Sequence, residues 1–74
     1  MDTHTFYQVI KWVKTTMQGV SIENMKAEEI VSIANAFRVR PLELVSEGFG
    51  KNTVTVGDYK LLSKKNYVRR SRNN

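Results

Sequence analysis

Residues 19 to 45 read GVSIENMKAEEIVSIANAFRVRPLELV, and the fold follows from where this stretch is interrupted. Ile30, Ile33, Ala34 and Phe37 recur at helical spacing, so they share one face of a helix predicted over about Met25 to Phe37. Glu28 and Glu29 at its start and Arg38 at its end complement a helix dipole that is positive at the N-terminus and negative at the C-terminus. Asn24 is the expected cap, because a short polar side chain accepts the N–H groups that a first turn leaves free. Upstream, Gly19 to Asn24 reads as a turn. Downstream, Arg38-Val39-Arg40 is a three-residue connection, and Pro41 then occupies a first helical position, which tolerates a missing N–H. Leu42, Leu44 and Val45 are expected to pack this short helix. Gly48 stops it, and Phe49 is placed to fold back over its last turn.

On the amino-terminal side, Phe6, Ile10, Val13 and Met17 are spaced four, three and four residues apart, with Val9 and Trp12 widening the stripe. That spacing predicts an amphipathic helix over about Thr5 to Met17, ended by Gly19. Its other face carries Gln8, Lys11 and Thr15, flanked by Tyr7 and Lys14. On the carboxyl-terminal side, Thr55-Val-Gly-Asp58 has capping-box spacing, with aspartate in place of the usual Glu or Gln. A short helix over about Val56 to Ser63 follows, returning Leu61 and Leu62 to the core. The fold class is therefore all-α, a small bundle of three to four short helices over residues 1–63. Residues 64–74 are expected to form a basic flexible tail, since their only apolar residues are Tyr67 and Val68.

The chain has 74 residues and 41% hydrophobic content, enough for one small domain. A core of this size supplies no more than about 3 to 5 kcal/mol. One short core with Phe6, Trp12, Val13, Met17 and Phe37 has too few layers to cover every apolar stripe in a monomer, so a homodimer is expected. There is no cysteine and a single histidine, His4, which argues against disulfides, metal centres and other cofactors. No pair of carboxylates, nucleophile with a base, or glycine-rich phosphate loop is present, so an enzyme is not expected. No apolar run approaches the roughly 20 residues that span a bilayer. The opening Met-Asp-Thr-His-Thr lacks the features of a secretory signal, which predicts a cytoplasmic location.

The formal charge of +5 is unevenly placed. Residues 1–50 carry five Lys and Arg against six Asp and Glu, whereas residues 51–74 carry seven cations against Asp58 alone. A basic stretch of this kind suits phosphate contact, since each neutralised phosphate releases counterions and adds sequence-independent affinity.

Residues 19–45 resemble the carboxyl-terminal half of the lambda-repressor-like (XRE) helix-turn-helix domain. The matching positions are Gly19, Ile33, Ala34, Ala36, Phe37, Val39, Pro41, Leu42, Leu44 and Val45, followed by Ser46-Glu-Gly-Phe49 as in actinobacterial and phage regulators. In that family two helices precede the DNA-reading helix, but only one helix precedes the match here. The resemblance implies a reduced repressor domain in which the segment Phe6 to Lys14 falls where the recognition helix would be. Such a domain can gain packing surface by pairing with a second copy or with a full-length regulator.

Two functions follow as expectations. The first is a small transcriptional regulator of phage or mobile-element type that binds double-stranded DNA. Gln8 would pair with adenine, Lys11 with guanine or phosphate, and Lys14 and Thr15 with phosphate, while Lys64, Lys65, Arg69, Arg70 and Arg72 hold the backbone. The second is a protein-interaction module, an antirepressor or modulator, with Tyr7 and Trp12 as aromatic anchors. A different placement makes the helices at 25–37 and 41–47 the helix-turn-helix. It is disfavoured because Glu43 and Glu47 would then face phosphates.

Overall fold

The computed structural model describes residues 1–63, so the expected basic tail at 64–74 lies outside the described residues. Four helices form, α1 (Thr3–Thr16), α2 (Ala27–Phe37), α3 (Pro41–Ser46) and α4 (Tyr59–Leu62), with 3-10 turns at Ile22–Asn24 and Val56–Asp58. No strand occurs among the described residues.

α1 starts two residues earlier than the apolar spacing predicts, because its cap lies in the polar segment before the stripe. The Asp2 carboxylate accepts the Thr5 N–H at 2.7 Å, and this bond holds the Asp2 carboxyl below its ordinary range. Val9 and Val13 form the buried centre of the inner face, with Phe6, Ile10 and Met17 partly buried around them.

The cap expected at Asn24 is corrected by the structure. Asn24 belongs to the 3-10 turn before α2, and its side-chain oxygen accepts the Asn52 amide at 3.0 Å instead. The N-cap of α2 is Lys26, whose ammonium cannot accept a hydrogen bond. Glu29 compensates by reaching back to the Lys26 N–H at 2.8 Å. The same device recurs at α3, where Glu43 accepts the Arg40 N–H at 3.5 Å, and at the second 3-10 turn, where Asp58 accepts the Thr55 N–H at 3.0 Å. Each start therefore uses the acidic half of a capping box. α2 ends with Arg38 in the left-handed region at φ 57° and the Val39 N–H donating to the Ala34 carbonyl at 3.0 Å, which satisfies a carbonyl the helix end would leave free.

α3 buries Pro41 and Leu44, which lie three apart on one face. Leu42, expected to pack, points to solvent at 39% exposure, because a helix of six residues can turn only one narrow face inward. Phe49 does fold back: it is fully buried, its N–H reaches the Leu44 carbonyl at 3.1 Å, and its ring meets Phe6 edge-on at 6.4 Å. The next residues tie distant segments together. Gly50 N–H donates to the Ile22 carbonyl at 2.7 Å and Asn52 N–H to Glu23 at 2.8 Å, while the Thr53 hydroxyl donates to the Met25 carbonyl. The helix expected over Val56 to Ser63 is a 3-10 turn followed by a single α turn, and it delivers Leu62 to the core. α2 packs against α1, α3 and α4, and α3 meets α4.

Candidate nucleic-acid interface

Turning Val9 and Val13 inward commits the opposite side of α1 to solvent. Gln8, Lys11, Lys14 and Thr15 are all exposed there. Tyr7 is 65% exposed and Trp12 39% exposed, so Trp12 sits at the rim of the inner stripe rather than within it. Its indole meets Phe37 of α2 in an edge-to-face contact at 6.1 Å. Edge-to-face packing is one of the two arrangements that aromatic pairs favour.

Tyr7, Gln8, Lys11, Trp12 and Thr15 come together as the lining of one open groove, joined by His4, Thr16 and Phe37. Lys14 is not part of that lining; it stands in the last turn of α1, where a cation complements the helix dipole. The Thr15 hydroxyl donates to the Lys11 carbonyl at 2.8 Å, so a phosphate contact by Thr15 requires that bond to be given up. Lys64, Lys65, Arg69, Arg70 and Arg72 lie outside the described residues.

Sequence reasoning misses His4, Thr16 and Phe37 as groove residues. His4 is findable, because His4, Gln8, Lys11 and Thr15 are spaced four, three and four apart and so form one row on a helix. Phe37 is not, since its proximity to Trp12 depends on how α1 crosses α2. A second groove adjoins the first on the other side of Trp12, lined by Trp12, Met17, Glu28, Glu29, Ser32, Ile33 and Ala36.

The two surfaces differ in charge. α1 contains Lys11 and Lys14 and no carboxylate, while the second groove is bordered by Glu28 and Glu29. Residues 1–63 hold seven Lys and Arg against seven Asp and Glu, so the formal +5 of the chain corresponds to the five cations of residues 64–74. Glu43 is held by the Met1 ammonium, a contact that lowers the Glu43 carboxyl and raises the amine from their ordinary values, and the inner face of α3 is occupied by the core.

No metal-binding group of three or more ligating side chains exists among the described residues, and no helix there is long and apolar enough to cross a membrane. Comparison with protein-family models, curated proteins and solved structures returned no match.

Proposed function

We propose that this chain is a small DNA-binding transcriptional regulator of phage or mobile-element type, built on a reduced lambda-repressor-like helix pattern. The observation that carries the reading is the separation of charge. An electrically balanced helical domain with a carboxylate-free outer helix is followed by eleven residues holding five cations and no acid. Residues 64–74 then supply affinity through phosphate neutralisation, and the exposed row of α1 supplies base contacts.

The test is a titration of labelled duplex DNA across salt concentrations with the full chain and with residues 1–63. Each phosphate contact contributes about 0.9 to the slope of the log-log salt plot, so losing even three contacts flattens it measurably. Deletion is expected to weaken binding to all sequences while leaving sequence preference in place. An unchanged slope would assign the tail to solubility instead.

Gln8→Ala and Lys11→Ala are expected to cost about 1 to 3 kcal/mol each at the preferred site and to relax sequence preference there. Thermal stability should hold, because both side chains are exposed and support no core contact. Equal losses on preferred and random duplexes would mean that the helix touches only the backbone.

The exposed Trp12 ring, backed by the partly buried Phe37, favours a second reading, a protein-interaction module that captures a full-length regulator. Under that reading the Gln8 and Lys11 changes leave DNA binding intact, while substitution of Tyr7 or Trp12 abolishes capture of the partner.

A further inference from the structure

From the grooves on either side of Trp12, we infer that a second copy of this chain docks on the Trp12–Phe37 ridge, with Lys11 of each copy opposite Glu28 of the other. Trp12 is the common wall of both grooves. One side presents His4 and Lys11 without a carboxylate, and the other presents Glu28 and Glu29 without a cation. A two-fold axis lying in the interface and running along the ridge exchanges left for right. The basic side of one copy therefore meets the acidic side of its partner, twice over by symmetry. The arrangement is self-complementary and closes at two copies.

The half-exposed indole and the partly buried Phe37 and Met17 side chains supply the apolar centre, and the charges lie at its edges. That is the usual anatomy of a specific protein interface. Other occupants fit less well. A nucleic acid or an anionic lipid surface meets repulsion at Glu28 and Glu29, and a uniformly acidic or basic protein segment matches only one of the two sides.

The interface goes beyond the DNA-binding reading and competes with it for one side chain, so the dimer and the α1-bound complex are alternative states of the chain. That side chain is Lys11, so pairing in this manner and base contact by α1 exclude each other. The assay therefore contains no DNA, and its result leaves the salt-titration result to be judged separately.

The experiment is analytical ultracentrifugation of the full chain over a wide concentration range, with Trp12 fluorescence recorded in parallel. The wild-type chain is expected to show a reversible monomer–dimer equilibrium, weakened by salt, with a blue shift of the indole emission on pairing. Lys11→Glu alone and Glu28→Lys alone should each weaken pairing by about tenfold or more, because each turns two attractive contacts into two repulsive ones. Both positions are exposed, and circular dichroism of each variant confirms that it is folded. Mixing the two variants should restore pairing. In the heterodimer the glutamate introduced in one chain faces the lysine introduced in the other, and the second contact keeps the native pairing of Lys11 with Glu28. A wild-type chain that stays monomeric overturns the proposal, whether the ridge is then covered by residues 64–74 of the same chain or by another protein. Single variants that pair as tightly as wild type, or a mixture that stays monomeric, overturn it equally.

Discussion

Phe49→Ala is expected to abolish cooperative folding at room temperature. The ring is fully buried and reaches from the end of α3 to Phe6 of α1, so it fills the space where the first helix meets the rest of the domain. Truncating a buried phenylalanine costs about 3 to 5 kcal/mol through lost transfer energy and the cavity left behind. A core this small supplies about the same total, so the loss consumes most or all of the folding free energy. Thermal melting followed by far-UV circular dichroism should show a broad, shallow transition in place of a sigmoidal one. Phe49→Leu keeps most of the apolar volume and should melt between the two. A Phe49→Ala chain with wild-type melting would show that the ring contributes no net stability.

Gly50→Ala is the second large expected effect. Gly50 sits at φ +71°, where a side chain is strained. An added Cβ would stand 2.4 Å from Val54 Cγ2, 2.7 Å from Ile30 Cδ1 and 3.1 Å from the Met25 carbonyl oxygen. The left-handed backbone costs roughly 1 to 2 kcal/mol for a non-glycine residue, and overpacking adds about 1 to 3 kcal/mol. Gly19→Ala separates the two costs, because Gly19 has φ +86° but no atom within 4 Å of its virtual Cβ. Gly50→Ala should therefore melt below Gly19→Ala by about 4 to 8 °C for each kcal/mol of crowding. Equal melting temperatures for the two variants would show that Val54 and Ile30 yield freely.

The breaks between helices are legible in the sequence, because glycine and proline act through their own backbone geometry. Pro41 opens α3 as expected, and Thr55 and Asp58 form the anticipated backbone bond. The short turn before α2 is less legible. Asn24 has the chemistry of a cap, but Gly50 and Asn52, far along the chain, fix residues 22 and 23 by hydrogen bonds and draw the segment into a separate turn. The apolar spacing of α1 also gives a broad stripe without its centre. Val9 and Val13 rather than Phe6 and Met17 are innermost, since the angle at which α1 meets α2 decides that choice. The exposed row of Gln8, Lys11 and Thr15 is readable as the complement of the stripe. The grooves beside it require Trp12 and Phe37 to meet across two helices, which a linear pattern does not encode.

α1 is held by fewer neighbours than the other long helix. α2, α3 and α4 pack on one another, whereas α1 leans chiefly on α2. The bonds from Gly50 and Asn52 to Ile22 and Glu23 close the larger part, and the buried Gly50 amide is expected to be among its slowly exchanging protons. The amides of α1 are expected to exchange faster than that proton, since fewer elements hold the helix. Anything that grips the outer face of α1 also restrains its fraying. Engagement of that face is therefore expected to register as slower proton exchange along the entire helix, including turns that the partner never touches.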